Sequence, residues 1–133
     1  MAAASTESPS VILVTGGSGL VGHGIRAAIE QAGDKRRWVW LSSKEGDLRD
    51  WSATNAIFAR YQPTHVIHLA ARVGGLFANM RAKLDFFRDN MLINDNVLRA
   101  CHEHRVEKCI SCLSTCIFPD KTTFPINESM LHE

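Results

Sequence analysis

A short apolar run, Val11-Ile12-Leu13-Val14, passes without interruption into Thr15-Gly16-Gly17-Ser18-Gly19, and a helical pattern begins at Leu20. Few features restrict a chain more. The run is of the β-branched kind that is buried on both faces of a parallel sheet. Val21, Ile25, Ala28 and Ile29 share one face of the helix that follows, and Gly33 stands where a helix C-cap belongs.

The same alternation continues. Trp38-Val39-Trp40-Leu41 reads as a second strand, and Asp50 is placed to N-cap a helix through Tyr61 that Pro63 ends. His65-Val66-Ile67-His68-Leu69 reads as a third strand. A long helix over about Phe77 to His104 follows, with Leu84, Phe87, Met91, Val97 and Leu98 as apolar anchors. Cys109-Ile110-Ser111-Cys112-Leu113 reads as a fourth strand, and Ser114 to Glu133 as loop. Strands alternating with helices predict an α/β, doubly wound parallel sheet. Right-handed crossovers predict strand order 3-2-1-4. A complete sheet of this kind has about six strands. Residues 11–133 therefore read as the front part of a larger protein, preceded by a flexible polar leader over residues 1–10.

With 133 residues, 45% of them hydrophobic, one buried core is expected. Fifteen basic against fourteen acidic residues leave a formal charge of +1, no electrostatic reason to expect nucleic acid or an anionic membrane as partner. No apolar stretch approaches the ~20 residues of a membrane span. The N-terminal MAAASTESPS lacks a basic n-region and an apolar h-region, so a cytoplasmic chain with reduced thiols at Cys101, Cys109, Cys112 and Cys116 is expected.

Gly17-x-Gly19-x-x-Gly22, and equally Gly16-x-x-Gly19-x-x-Gly22, lie between a strand and a helix, the context in which such glycines bind a dinucleotide. Gly16 or Gly17 permits the tight turn, Gly19 the approach of a pyrophosphate, and Gly22 close packing of helix on strand. Ser18, Leu20 and Val21 complete the phosphate loop at the helix N-terminus, whose free N–H groups favour anions. No Gly-Lys-Ser/Thr ends the motif, which excludes a Walker A loop. An NAD site places an acid at the end of the second strand. Here Leu41-Ser42-Ser43-Lys44 offers hydroxyls and a cation, suited to the 2′-phosphate of NADP(H). Asp47-Leu48 is placed to meet the adenine ring.

Thr15-Gly16-Gly17-Ser18-Gly19-Leu20-Val21-Gly22, Asp47-Leu48 and His68-Leu69-Ala70-Ala71 are successive landmarks, and through them the chain resembles the extended short-chain dehydrogenase/reductase family, with its Rossmann-like domain. The segments around Val73-Gly74-Gly75 and Ser114-Thr115-Cys116-Ile117-Phe118-Pro119 are similar to members that act on a GDP-linked 4-keto-6-deoxy sugar. Those members epimerise C3 and C5 and then reduce C4 with hydride from NADPH. The resemblance implies that Ser114 hydrogen-bonds the C4 oxygen and that Cys116 is an acid/base in epimerisation. It implies that Leu69, Ala70 and Ala71 line the cofactor and that Asn90 stands near the site. It also implies a homodimer built partly on the long helix.

The family's Tyr-x-x-x-Lys has no counterpart, because the only tyrosine is Tyr61. The resemblance therefore implies a cofactor cleft and half of a catalytic set, without turnover by these residues alone. A non-catalytic NADP(H)-binding module and a related sugar-nucleotide epimerase/dehydratase both stay open. Cys109-x-x-Cys112 is expected to be buried as small apolar residues in a strand. His102-Glu103-His104 is expected to be a solvated helix end, since adjacent positions face different ways.

Overall fold

The computed structural model describes residues 10–131. The leader expected over 1–10 lies outside them except for Ser10. Four parallel strands form one sheet: β1 (Val11–Thr15), β2 (Arg37–Trp40), β3 (His65–His68) and β4 (Lys108–Ser111). The helices are α1 (Leu20–Ala32), α2 (Trp51–Tyr61), α3 (Leu76–Arg81) and α4 (Lys83–Glu103). Short 3₁₀ turns lie at Thr115–Ile117 and Glu128–Met130.

The α/β class holds, but the strand order is β2-β1-β3-β4 and not 3-2-1-4. Burial explains the difference. All five residues of β1 are buried, as befits a strand with two neighbours. Either order gives β1 two neighbours, so the choice falls between β2 and β3 as the second interior strand. Arg37-Trp38-Val39-Trp40 leaves every residue at least partly accessible, whereas β3 buries Val66 and His68. The indole Nε1 of Trp38 is itself buried, with no hydrogen-bond partner among the described residues.

Register follows from this order. Val11 stands beside Arg37, Thr15 beside His68, and His68 beside Ser111. Because β2 and β3 flank β1 on opposite sides, right-handed crossovers put α1 on one face and α2 and α4 on the other. The core follows suit. Leu13 and Val66 from the sheet share one cluster with Ile57 and Phe58 of α2 and Val97, Ala100 and Cys101 of α4. On the other face Trp38 and Trp40 stack at 5.5 Å, with the Arg26 guanidinium of α1 over the Trp40 ring.

Helix ends match their local chemistry. Asp50 accepts from Ala53 N at 2.7 Å, the expected N-cap of α2. Gly33 takes a left-handed φ of 65°, which lets Asp34 N–H reach back to Ile29 O. His104 Nε2 meets Asn55 Oδ1 at 2.7 Å, so the end of α4 is tied to α2 and is not merely solvated.

The expected long helix is two helices, broken at Ala82, where φ −132° and ψ 41° leave the helical region. Of its expected anchors only Val97 is buried; Leu84, Phe87, Met91 and Leu98 are each more than half exposed. The apolar face of α4 points partly away from the sheet, and the α4 core contact is made by the stretch from Asn96 to Cys101. The cysteine expectation also changes. Cys109 is half-buried and Cys112 exposed, since β4 is the outer strand of this sheet. No helix among the described residues is long and apolar enough to cross a membrane.

Candidate functional site

The site forms where the C-terminal ends of the strands meet. At β1 the chain must turn sharply, and Gly16 does so with a φ of +68°. A Cβ there would stand 2.9 Å from Ala70 N, so the glycine is needed for space as well as for conformation. Gly22 is buried against the turn: a Cβ would stand 2.5 Å from Gly17 O. The helix is thereby drawn down onto the loop. Gly17 is the floor of this arrangement, close to Trp40 and bonded to Leu41 O at 2.8 Å. Gly19 N–H closes the turn on Gly16 O at 2.9 Å.

Gly19 is the N-cap of α1 and brings no side chain to cap it. The N–H groups of Leu20, Val21 and Gly22 therefore meet the positive end of the helix dipole without an intrahelical acceptor. Ser18, Leu20 and Val21 are at the cleft surface, as are Gly16, Gly19 and Gly22.

The cleft they open onto has a volume of about 820 Å³. Leu41, Ser42 and Ser43 bound it after β2; Leu69, Ala70, Ala71, Arg72 and Val73 after β3; and Cys112 after β4. The ends of neighbouring strands diverge to opposite faces here, the crevice where open α/β sheets take ligands. Asp47 and Leu48 also line it. The Leu48 carbonyl is held by Asn96 Nδ2 at 2.9 Å and Thr54 Oγ1 at 3.2 Å.

Other candidates are placed differently. Lys44 lies outside the cleft lining, as do Asn90, Ser114 and Cys116. Asn90 braces the loop after β3, since its amide accepts from Arg72 N at 2.8 Å and donates to Arg72 O at 3.0 Å. Ser114 Oγ accepts from Cys116 N at 3.2 Å, capping the turn over Thr115–Ile117. Both side chains are exposed there, two and four residues beyond the cleft-lining Cys112.

Three features escaped the sequence reading. Arg49 lines the cleft and grips the Asp47 carboxylate with Nε at 3.0 Å and Nη2 at 2.7 Å. Its Nη1 meets Asp89 Oδ2 at 3.0 Å, and Arg72 Nη1 meets the same oxygen at 2.8 Å. Hydrogen bonds from Arg49 hold the Asp47 carboxyl below the usual carboxylate range, and those from Arg72 and then Arg49 do so for Asp89. Asp89 thus joins the loop after β2 to the loop after β3.

The second feature is a carboxylate at the end of β2, where the sequence shows none in line. Glu45 folds back so that its Oε2 accepts from both Ser42 N and Ser42 Oγ, each at 2.7 Å. Those two bonds hold its carboxyl below the ordinary value. The third is the hydrogen-bond network of His68, a residue the sequence placed as part of the third strand. Its Nδ1 meets Thr15 Oγ1 at 2.7 Å and its Nε2 meets Asn94 Oδ1 at 2.9 Å, and burial lowers its basicity. Among the described residues no cluster of three or more His, Cys, Asp or Glu is spaced to hold a metal.

Known proteins share this sequence and fold. GDP-L-fucose synthase of Dictyostelium discoideum is 57% identical over 129 residues, covering 96% of this chain and 40% of its own length. A probable GDP-L-fucose synthase of Drosophila melanogaster is 59% identical over 122 residues, covering 91% and 38%. The crystal structure of a GDP-L-fucose synthetase from Naegleria fowleri bound to NADP superposes with a TM-score of 0.85 at 52% identity, covering 96% and 38%. The chain thus spans about 40% of the length of the relatives it matches. The sequence model of the NAD dependent epimerase/dehydratase family matches residues 12–133, and the chain belongs to that family.

Proposed function

We propose that residues 11–133 are part of the NADP(H)-binding domain of a cytoplasmic epimerase-reductase. The enzyme converts GDP-4-keto-6-deoxy-D-mannose to GDP-L-fucose, by 3,5-epimerisation and then 4-keto reduction. One observation carries the coenzyme assignment: the uncapped N-terminus of α1, with Gly16 and Gly22 leaving no room for a Cβ, faces a cleft of dinucleotide size. The Naegleria relative bound to NADP supports it.

The N–H groups at Leu20 to Gly22 would take the pyrophosphate. Leu48 would pack on the adenine, and Ser43 and Lys44 would meet the 2′-phosphate. Leu69, Ala70 and Ala71 would line the nicotinamide end. When bound, NADPH supplies the hydride for C4. Ser114 would donate its hydroxyl proton to the C4 oxygen as negative charge develops there. Cys116 would move protons at C3 and C5, a role open to an exposed thiol.

The chain's one tyrosine, Tyr61, packs against the core from α2, with Arg60 over its ring, and does not line the cleft. A second copy of the chain is the proposed partner of the exposed α4 residues Leu84, Phe87 and Met91.

Isothermal titration with NADPH and NADP⁺ tests the assignment. Saturable binding of both is expected. Absence of heat with either, on folded protein, overturns it.

A further inference from the structure

The donors at the end of β2 already have an anion on them. Ser42 is fixed beside the glycine turn, because Gly17 N–H bonds Leu41 O at 2.8 Å. The Ser42 hydroxyl accepts from Lys44 N at 3.3 Å, so its own proton is free to point at Glu45. Backbone N–H and hydroxyl then converge on one carboxylate oxygen at 2.7 Å each. Both Ser42 and Ser43 line the cleft, while the Glu45 side chain is exposed to water.

We propose that Glu45 is an internal occupant of the 2′-phosphate subsite, seated on the Ser42 donors until the phosphate of NADP(H) displaces it. The proposal rests on the NADP(H) reading above and adds a specificity-determining residue to it. Two anions cannot share the same pair of donors, because each needs both protons and the charges repel at contact distance. A carboxylate at the surface swings into water at little desolvation cost, so displacement is open to a phosphate. A coenzyme without the 2′-phosphate faces no such contest. Its ribose 2′-hydroxyl can donate to the Glu45 carboxylate where that already sits. Glu45 therefore narrows the preference for the phosphorylated coenzyme that the Ser42-Ser43-Lys44 donors create.

The full chain and its Glu45→Gln and Glu45→Ala variants are titrated with NADPH, NADH, 2′-AMP and 5′-AMP. Glu45→Gln keeps an acceptor for Ser42 and removes only the charge, so the loop is preserved. In both variants NADPH and 2′-AMP are expected to bind about tenfold tighter, with NADH and 5′-AMP, which share a free 2′-hydroxyl, unchanged or weaker. An unchanged NADPH-to-NADH ratio in both variants overturns the proposal. So does equal weakening of all four ligands, which would mean that Glu45 only shapes the loop. If the unaltered chain binds 2′-AMP but neither dinucleotide, the NADP(H) reading fails. If it binds NADPH and the variants do not shift the ratio, only the Glu45 assignment fails.

Discussion

Thr15 Oγ1 lies 2.7 Å from His68 Nδ1, and the proton between them belongs to Thr15. The hydroxyl also accepts from Leu69 N and Ala70 N, each at 3.2 Å, so both of its lone pairs are engaged. His68 Nδ1 is then an acceptor, and Nε2–H donates to Asn94 Oδ1 at 2.9 Å. The imidazole is held neutral, in one tautomer, at the point where β3 enters the cleft. A second proton on Nδ1 would find no acceptor. Burial alone also lowers the pKa of His68 from its ordinary value of 6.5. The unfolded chain takes up a proton near 6.5 while the folded chain refuses it. Stability is therefore complete above pH 6.5 and falls as the pH drops below it. Urea midpoints between pH 5 and 8 should show this, with a slope of no more than about 1.4 kcal/mol per pH unit from the one site. His68→Gln should flatten the slope.

The same hydroxyl organises the loop. Thr15→Val leaves the buried His68 Nδ1 without its donor and takes an acceptor from Ala70 N–H at the cleft wall. The expected loss is about 1–3 kcal/mol, read by chemical denaturation, with weaker NADPH binding because Ala70 lines the cleft.

The glycines separate into two kinds. Gly22→Ala drives a methyl to 2.5 Å from Gly17 O, a backbone atom that has no rotamer to yield. It should cost about 1–3 kcal/mol and abolish NADPH binding. Gly24, two residues on in the same helix, has nothing within 4 Å of its Cβ position. Gly24→Ala should instead stabilise by about 0.5–1 kcal/mol through helix propensity. Thermal melts of the two variants should move in opposite directions.

What the sequence showed and what it hid divide along one physical line. Val11 to Gly22, the Asp50 cap and the Gly33 cap are local: their chemistry is complete within a few residues, and each was legible. Strand order was not. Trp38-Val39-Trp40 is as apolar as an interior strand, and only its partial exposure in the folded sheet shows that it is the rim. Ala82 carries no helix-breaking signal, so the division of the long helix was invisible. Arg49 and Asp89 are forty residues apart, and no pattern in the chain joins them. Glu45 lies only three residues past Ser42, yet its fold-back depends on a loop conformation that strand and helix patterns do not describe.

The Asp89 bridge yields a prediction about motion. Arg49 and Arg72 meet on one carboxylate oxygen and so couple the two loops that flank the cleft. Surface ion pairs contribute little to global stability, but a shared one restricts local opening. Asp89→Asn should leave the denaturation midpoint nearly unchanged. Hydrogen exchange should accelerate in both residues 46–50 and residues 70–75. Acceleration in one loop alone would mean that the bridge does not couple them.

Thiol chemistry reports on the cleft from a different direction. Burial and the neighbouring Cys109 push the Cys101 thiol up to about 12, so at pH 8 it holds almost no thiolate and is shielded as well. Cys112 and Cys116 are both exposed, but only Cys112 lines the cleft. Iodoacetamide at pH 8, followed by peptide mass spectrometry, should label Cys112 and Cys116 quickly and Cys101 last. Saturating NADPH should slow Cys112 and spare the rate at Cys116. A ligand seated on the turn at Gly16 and reaching past Ala70 must cover the end of β4, because His68 O bonds Cys112 N at 3.1 Å and holds the two strand ends together. Equal protection of both thiols would place the coenzyme further out, over the Ser114 turn, and no protection of either would place it short of β4.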